Sequence, residues 1–377
     1  MFILIAINKN DLNIIFNTMK CFNDYIVDTK VLKTNANNIK NRIGESCRFC
    51  AVVKANAYGI GLETVCKSLF GIADFFAVAN LKEAMSIRVF DKKTNILILG
   101  YIDVNQIELA SKNNISVSIG SYDQLIELSK STVPIKIHLQ INTGLNRYGV
   151  RTITEYKRCI KFIKNNSNIT LEGVYSHFAT KQNDINFIYR QYLRFNQFKK
   201  VNIEKDIIYH IANSFATDYS NKFHFDMVRT GFLLYGYAKN SLGNMPVMSI
   251  NSKVINILSV RKGETIGYDR TFVADKNLTV AVVSMGYADG LNRRLSNKFS
   301  LIIKNKKCRI LGRICMDVVM VDVTGIKDIS IGDKVIVLGR ENNLKLSLKD
   351  YADIIDTSEY EVLCAFNYRR ANYIVKT

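Results

Sequence analysis

Apolar residues along the first two thirds of the chain alternate between segments with helical spacing and short continuous runs. From Asp28, a suitable N-cap, to the helix stop Gly44, they recur on one helical face. Similar spacing recurs at 62–70, 81–90, 104–112, 122–130, 153–165 and 185–200. The continuous runs read CAVVK, FFAVA, ILILG, ISVSI, IKIHLQI, LEGVYSH, IIYHIA and FHFDMVR. Eight strand-and-helix units over about 200 residues predict a (β/α)8 barrel. A doubly wound parallel sheet remains the alternative, because periodicity cannot show closure.

The pattern changes after about residue 245. The runs SKVINILSV, LTVAVVSMG, FSLIIKN and VVMVDVTG are typical of strands and are separated by Gly, Asn and Asp turns, with little helical periodicity. We therefore predict an α/β protein with a TIM-type barrel over residues 25–245 and a mostly β C-terminal domain over residues 246–377. Residues 1–24 are predicted to be an N-terminal extension of unknown role.

The net charge is strongly basic, with 52 Lys and Arg against 33 Asp and Glu in 377 residues, or +19. Such a balance suits nucleic acid or an anionic surface. The lysines are however scattered among Asn and Ile, as in IKFIKNNSN, and form no dense basic block. We therefore predict no nucleic-acid partner.

The N-terminus and the cysteines indicate the compartment. The run MFILIAI is too short to span a membrane and lacks a basic leader and a clear cleavage site. Eight irregularly spaced cysteines form no disulfide framework, and Cys47 and Cys50 have no second Cys or His pair at zinc spacing. We predict a cytoplasmic protein without a membrane partner and without a metal site.

Polar residues collect where a barrel places its active site, at the C-terminal ends of the strands. Lys54 ends the first run, although lysine is rarely buried without a partner. Its stem could simply lie along the strand end with its amine in water, or the amine could be used chemically. The other polar residues at strand ends or in the following loops are Gln140, Asn142, Arg147, His177, Asn213, Ser214 and Arg229.

The loops after the last two barrel strands suit a phosphate group. Ser214 offers a hydroxyl, and Gly231 lets its own N–H and that of Phe232 approach an anion closely. A phosphate site together with a strand-end lysine suggests pyridoxal phosphate held by Lys54 as a Schiff base. Arg229 could then face the pyridine nitrogen.

The stretch AVVKANAYGIGL resembles the cofactor-lysine motif of the alanine racemases. Further motifs of that family are resembled, in the same order and from about residue 25 to the C-terminus, by HLQINTGLNRYGV, LEGVYSHFAT, HIANSFAT, VRTGFLLYGY, GETIGYDRTF, MGYADG, GRICMDVVMVDVT and YEVLCAFNYR. The resemblance implies a barrel domain, a C-terminal β domain and a homodimer whose active sites combine both subunits. It also implies pyridoxal-phosphate-dependent interconversion of L-alanine and D-alanine, which supplies D-alanine for peptidoglycan.

The resemblance also implies a role for each matching residue. Lys54 would hold the cofactor and act as one catalytic base, and Tyr268 of the partner subunit would be the other. The cofactor-binding residues would be Lys54, Tyr58, His177, Asn213, Ser214, Arg229, Gly231, Phe232 and Tyr368. The substrate-binding residues would be Arg147 near the phenol of Tyr268, Met316 through its backbone, and Tyr287 at the entrance.

Racemisation explains why these residue types are needed. One base removes the α-proton from one face of the substrate and the other returns a proton to the opposite face. Free amines and phenols both have a pKa of about 10, so both must be lowered to act at neutral pH. A neighbouring guanidinium such as Arg147 favours a phenolate. An arginine at the pyridine nitrogen, unlike an aspartate, leaves that nitrogen unprotonated and limits misplaced protonation.

Several positions depart from the family pattern. Gln140 stands where many members carry a carbamylated lysine that fixes the arginine corresponding to Arg147, and its amide oxygen could do the same without the charge. Asn142 stands where Asp is usual, and Ile60 where His is usual. These changes predict an altered rate or substrate range.

Other functions remain open at this point. The nearest alternative is a racemase of the same fold that acts on serine or a broader set of amino acids. A decarboxylase of the same architecture is disfavoured because Tyr268 stands where the second racemisation base is expected. A non-catalytic pyridoxal-phosphate carrier is disfavoured by the β domain that contains Tyr268.

Overall fold

The computed structural model describes residues 21–180, 184–201 and 206–377. The chain divides into two compact units. The barrel unit is Asp28–Val247, and the β unit combines the described residues up to Val27 with Met248–Lys376. The extension predicted over residues 1–24 lies outside the described residues as far as residue 20. Within the described ranges, no helix is both long enough and apolar enough to cross a membrane.

The first described strand, β1 (Asn23–Asp28), pairs with the β unit, and the next eight strands form the barrel. The barrel strands are β2 (Arg48–Val52), β3 (Phe75–Val78), β4 (Asn95–Ile98), β5 (Ile115–Ile119), β6 (Ile135–Gln140), β7 (Ile169–Tyr175), β8 (Ile208–His210) and β9 (Met227–Thr230). They are parallel, and their order is β8-β7-β6-β5-β4-β3-β2-β9. Across the remaining gap, backbone N–H groups of Asp226 and Arg229 donate to β8 and the residues after it, at 3.0 Å each. The last barrel strand, β9, thus pairs with the first, β2, and is bonded to β8 on its other side. This closure confirms the barrel and excludes the doubly wound sheet.

Helices cover the outside of the barrel at the predicted places. They are α1 (Thr29–Ile43), α2 (Leu62–Ser68), α3 (Leu81–Arg88), α4 (Ile107–Lys112), α5 (Tyr122–Leu128), α6 (Ile153–Lys164) and α7 (Ile185–Val201). A further short helix, α8 (Ser214–Tyr219), is not among the predicted helices. Their starts follow the rules of helix capping, because a short polar side chain accepts an otherwise unpaired N–H. Asp28 accepts from Val31 at 2.9 Å, and Asn80, Ser121 and Thr152 cap α3, α5 and α6 in the same way.

Alternation along the strands places polar side chains inside the barrel. In β5, Ser116 and Ser118 alternate with apolar residues, and both hydroxyls hydrogen-bond to side chains of β7, two strands away. Such contacts are possible only through the barrel interior, since successive residues of a strand point to opposite faces. The interior therefore holds a polar network, and the apolar residues pack against the helices.

The β unit contains one nine-stranded sheet, in which some strands branch off the main strand order, and a small hairpin. Its further strands are β10 (Met248–Val260), β11 (Thr265–Ile266), β12 (Phe272–Val273), β13 (Leu278–Val283), β14 (Ser300–Ile303), β15 (Lys306–Arg309), β16 (Val319–Asp322), β17 (Lys334–Glu341), β18 (Leu344–Leu346) and β19 (Ala371–Lys376). Two short helices, α9 (Leu348–Ile355) and α10 (Glu359–Ala365), precede the last strand. The predicted mostly β C-terminal fold is confirmed.

The start of the chain differs from the predicted domain boundary. The sequence analysis gives residues 25–27 to the barrel, but β1 pairs antiparallel with β10, with Tyr25 opposite Ile250 and Val27 opposite Met248. The stretch NDYIVD buries every second residue, Asn23, Tyr25 and Val27, as a sheet with one covered face requires. The chain therefore begins its described course in the β unit and enters the barrel at Asp28.

Candidate active site

Lys54 stands where the first barrel strand ends and the backbone reverses its hand. The three residues after it, Ala55, Asn56 and Ala57, have φ of 54°, 53° and 52°, which is the left-handed helical region. The N–H of Gly59 donates to the Ala55 carbonyl at 2.9 Å and closes this left-handed turn. Such a conformation is costly for residues other than glycine and is typical of functional sites.

Glu83 on α3 holds the left-handed turn in place. One oxygen of its carboxylate accepts the N–H of Ala55 at 2.8 Å, and the other accepts the N–H of Ala79 at 2.7 Å. The carboxylate therefore ties the residue after Lys54 to the end of β3. The sequence analysis does not identify Glu83, because its role depends on two backbone amides that only the folded barrel brings together.

Arg229 lies inside the barrel with only 4% of its surface exposed. Its Nη1 donates to Nδ1 of His210 at 2.6 Å and to the His210 carbonyl at 3.1 Å. Its Nη2 donates to the Ser176 carbonyl at 2.7 Å and lies 3.3 Å from Nδ1 of His177. The guanidinium also lies over the ring of Tyr175, 5.2 Å from the centroid. These contacts fix its plane and orientation.

His177 is held in its neutral form. Burial, together with the positive charges of Arg229, Arg147 and Lys54, lowers its pKa to about 3. A neutral imidazole next to three cationic side chains can accept a hydrogen bond or position a neighbour without adding a further charge. The charges acting on it also show that Lys54, Arg147 and Arg229 converge on one region of the barrel.

Ser214, Gly231 and Tyr58 form a cradle just after β9. The Ser214 hydroxyl oxygen accepts the N–H groups of Gly231 and Leu233, at 3.2 Å each. A Cβ at position 231 would lie 2.7 Å from the Tyr58 hydroxyl, so the glycine lets the Tyr58 ring pack directly on the backbone. A hydroxyl can donate while its oxygen accepts, so the Ser214 and Tyr58 hydroxyls at this backbone are suited to an anion such as a phosphate.

Two neighbours of this cradle have structural contacts. The Asn213 side chain accepts the N–H of Ala216 at 3.1 Å and caps α8. Phe232 is buried and packs on Tyr237 with ring centroids 5.8 Å apart. Their predicted cofactor contacts remain predictions.

Gln140 and Arg147 differ from their expected relation. Both are among the described residues, and no hydrogen bond joins them; the Gln140 amide oxygen instead accepts the phenol of Tyr175 at 2.9 Å. Arg147 is exposed and lies 6.0 Å from the ring centroid of Tyr148. The Gln140 amide therefore does not fix Arg147 in this structure, because its oxygen is directed at the Tyr175 phenol.

Tyr268, the predicted second base, lies in the β unit with 64% of its surface exposed. It begins a tight turn after Gly267, whose φ is 76°, and Asp269 follows with φ of 57°. The Asp269 carboxylate pairs with Arg313 at 2.6 Å. The turn is thus anchored while the phenol stays on the surface.

The other predicted site residues of the β unit are Tyr287, Met316 and Tyr368. The loops around the first two are joined because the N–H of Ala288 donates to the Met316 carbonyl at 3.0 Å. The buried carboxylate of Asp289 connects these loops with the C-terminal segment: it pairs with Arg370 at 2.6 Å and accepts the N–H of Gly286 at 3.1 Å. The sequence analysis does not identify Asp289, whose motif GYADG gives no sign of a distant arginine partner.

The chain matches two family models in succession. Residues 27–239 match the N-terminal domain of alanine racemase, and residues 247–374 match its C-terminal domain. The chain is 33% identical over 366 residues to alanine racemase 1 of Clostridium acetobutylicum, covering 93% of this chain and 94% of the relative. It is 35% identical to alanine racemase 2 of Caldanaerobacter subterraneus subsp. tengcongensis, covering 89% and 90% of the two chains.

Solved structures agree with these sequence matches. The alanine racemase of E. faecalis superimposes with a TM-score of 0.89 at 29% identity, covering 94% of this chain and 98% of that one. The Bacillus anthracis alanine racemase, solved with bound L-Ala-P, superimposes with a TM-score of 0.87 at 29% identity, covering 94% of this chain and 96% of that one. These matches show that the chain functions as an alanine racemase, which is an isomerase. The chain belongs to the alanine racemase family.

Proposed function

We propose that the chain interconverts L- and D-alanine with pyridoxal phosphate as its cofactor and with Lys54 and Tyr268 as the two bases. The observation that carries this proposal is the arrangement in the barrel unit. Lys54 follows the first barrel strand, the cations of Arg147 and Arg229 act with it on one neutral histidine, and the Ser214 and Tyr58 hydroxyls lie at the Gly231 backbone, which suits a phosphate.

The residues present fit this cofactor. Ser214, Gly231 and Tyr58 would hold the phosphate, because the glycine brings the Tyr58 hydroxyl against the same backbone segment that Ser214 binds. Arg229 would face the ring nitrogen, and as a guanidinium it can only donate hydrogen bonds. Pyridoxal phosphate, when bound, draws electrons from the α-carbon of an amino acid and makes its α-proton acidic.

The chain's own groups then move the proton. The amine of Lys54 takes or returns it on one face of the substrate, and the phenol of Tyr268 does so on the other. His177 stays neutral beside Arg229 and therefore does not compete as an acid. The positive charges of Arg147 and Arg229 also favour the substrate carboxylate in this region.

We propose a homodimer in which Tyr268 of one subunit serves the barrel of the other. Tyr268 and Met316 are exposed by 64% and 53% in the β unit, which supports a surface that a second subunit covers. Mixing the inactive variants Lys54→Ala and Tyr268→Phe tests this arrangement, because a mixed dimer would contain one intact site. Recovery of about a quarter of the wild-type activity is expected from random pairing in a twofold dimer. No recovery would contradict shared sites.

We propose a cytoplasmic enzyme that supplies D-alanine for cell-wall peptidoglycan. All eight cysteines are free thiols, and five of them are buried, which is typical of a reducing compartment. Cell fractionation with an antibody against the chain tests the location. Recovery with periplasmic or secreted proteins would contradict it.

The reaction is tested with purified protein, pyridoxal phosphate and L-alanine in D₂O. NMR follows deuterium at the α-carbon, and chiral chromatography follows the hand of the product. Deuterated D-alanine that is lost in both Lys54→Ala and Tyr268→Phe is the expected result. Exchange without inversion would mean that one base works alone. If the protein racemised serine and not alanine, serine would be the substrate and the proposed substrate would be wrong.

A further inference from the structure

A chain of hydrogen bonds runs from Arg229 through the barrel interior to a carboxylate. Arg229 Nη1 lies 2.6 Å from His210 Nδ1, His210 Nε2 lies 2.7 Å from His138 Nδ1, and His138 Nε2 lies 3.0 Å from Glu172 Oε2. Both histidines are fully buried. The predicted active-site functions do not use His138, His210 or Glu172.

The direction of every hydrogen bond in this chain is determined by its first member. A guanidinium has no acceptor, so Nδ1 of His210 must be the bare nitrogen that receives its proton. Burial and the charge of Arg229 lower the pKa of His210 well below its usual value, which keeps the ring neutral with its proton on Nε2. His210 therefore donates to His138 Nδ1, and His138 in turn donates from Nε2 to Glu172.

The last member of the chain is an ionised carboxylate. Burial alone would raise the pKa of Glu172, but the contacts with His138, a hydrogen bond from Ser116 and the charge of Lys136 hold it at about 2. Lys136 lies 3.6 Å from the other carboxylate oxygen. A buried arginine without a carboxylate among its own contacts thus has a negative charge three hydrogen bonds away, and neutral imidazoles between them are polarised in one direction.

The local backbone is shaped to make this chain possible. The pairing of β6 with β7 shifts register so that Ile137 faces Leu171 and His138 faces Gly173, which leaves Glu172 as the extra residue of a bulge. A bulge re-aims side chains. At Gly173 a Cβ would collide with the His138 ring, so the glycine provides the room that the imidazole occupies.

The ring of His210 is held in its plane from another side. Tyr175 stacks on it with centroids 5.0 Å apart and an interplanar angle of 11°. The same tyrosine lies under the Arg229 guanidinium. Mere filling of the interior would require neither aligned imidazoles nor a charged end, and the arrangement costs the burial of a carboxylate.

We propose that Glu172, His138 and His210 are positioning residues that supply a distant counter-charge to Arg229 and fix the orientation of its guanidinium. The inference rests on the proposed function, in which Arg229 faces the ring nitrogen of pyridoxal phosphate. Removing the charge of Glu172 would change the electrostatic environment of that nitrogen through Arg229, without touching any group that contacts substrate or cofactor.

Glu172→Gln in the holoenzyme tests the proposal, because glutamine keeps the shape and an acceptor oxygen but loses the charge. We expect kcat to fall by about tenfold, because the hydrogen bond donated by His138 is kept but its acceptor changes from charged to neutral, with KM little changed. The absorption maximum of the bound cofactor and its pH titration should shift as well. The matched control is Glu108→Gln, which removes an exposed carboxylate paired with Lys112 and should leave all of these unchanged.

The wild-type protein gives a second, independent test. It has four histidines, so ¹⁵N labelling of histidine yields a simple NMR spectrum. His210 and His138 should each carry their proton on Nε2, with Nδ1 bare. A proton on Nδ1 of His210, or a Glu172→Gln enzyme with wild-type kcat and spectrum, would overturn the proposal. Failure of the wild type to bind pyridoxal phosphate would instead refute the proposed function, while the NMR result would still decide the direction of the chain.

Discussion

The two units of the molecule present their predicted site residues in opposite ways. In the barrel unit, Arg229 is buried, and both of its Nη atoms donate to acceptors of the same unit. In the β unit, Tyr268 and Met316 are largely exposed on anchored loops. A buried polar group that makes no hydrogen bond within its own fold lowers stability, whereas an exposed polar group can hydrogen-bond to water until a partner binds. The predicted site residue Arg229 of the barrel is thus satisfied within its own unit, whereas Tyr268 and Met316 of the β unit are exposed to solvent.

The difference between the units should be largest when the pH is lowered. All four histidines lie in the barrel unit. Burial and neighbouring positive charges lower the pKa of His177 to about 3, and burial lowers those of His138, His210 and His224. Between pH 6.5 and about 3 the unfolded chain therefore binds more protons. Stability that is fully present above pH 6.5 should be lost as the pH falls, by at most about 1.4 kcal/mol per pH unit for each group.

Hydrogen exchange with mass spectrometry, in urea at several pH values, measures the two units separately. Between pH 6.5 and 5 the barrel peptides should lose protection while the β-unit peptides keep theirs. His224 lies outside the predicted site, and its Nε2 donates to the Thr217 carbonyl at 2.9 Å. His224→Gln should therefore reduce the pH dependence of barrel stability by the contribution of one histidine. Equal loss in both units would contradict the prediction.

The β unit has one buried charge, and its removal should destabilise that unit strongly. Asp289 is 1% exposed and pairs with Arg370 at 2.6 Å. Asp289→Asn removes the buried carboxylate that binds Arg370, while Arg370 keeps its 3.5 Å contact with the Asp317 carboxylate. We therefore expect a loss of about 1.5–3 kcal/mol, the range for a hydrogen bond to a charged group. Urea unfolding followed by circular dichroism measures the loss. Asp353→Asn, at an exposed pair with Lys349, is the control and should change little.

A methyl group at Gly231 should weaken the cofactor site by a smaller amount. Its Cβ would lie 2.7 Å from the Tyr58 hydroxyl and displace the Tyr58 ring from the cradle. The resulting overpacking costs about 1–3 kcal/mol, so the Kd for pyridoxal phosphate should rise by roughly tenfold to a hundredfold. Titration of the apoenzyme by absorbance measures it. Gly71→Ala, with open space at its Cβ, should leave the Kd unchanged, and an unchanged Kd in Gly231→Ala would remove Gly231 from the cradle.

The smallest expected effect on stability comes from replacing one tyrosine by phenylalanine in each unit. Tyr235 is fully buried and its hydroxyl donates to the Val52 carbonyl at 2.9 Å. Tyr235→Phe should cost about 1 kcal/mol, whereas Tyr268→Phe should stay within about 0.5 kcal/mol of wild type. Thermal unfolding measures both. Activity should respond in the reverse order, and a Tyr268→Phe enzyme that is unstable yet active would contradict the assignment of a surface base.

Features that depend on local pattern were predictable, and those that depend on register were not. The eight barrel strands and Lys54 at the end of the first follow from apolar runs and their ends. The link from His138 to Glu172 depends on a bulge between β6 and β7, for which the spacing of IKIHLQI and LEGVYSH gives no signal. The sequence leaves open that Gln140 fixes Arg147, but the Gln140 oxygen accepts from Tyr175, because strand pairing places that phenol next to it.

The left-handed turn after Lys54 has a consequence for the order in which the molecule assembles. Each of its residues opposes the intrinsic preference of an L-amino acid by about 1–2 kcal/mol, so the turn cannot form by itself. It needs Glu83 and the strands around it already in place. We expect pulse-labelled refolding to protect the Val53 amide, bonded to Ala77, before the Gly59 amide that closes the turn; simultaneous protection would contradict this order. Lys54 would then reach its native position late in folding, and partly folded chains would be unable to bind the cofactor.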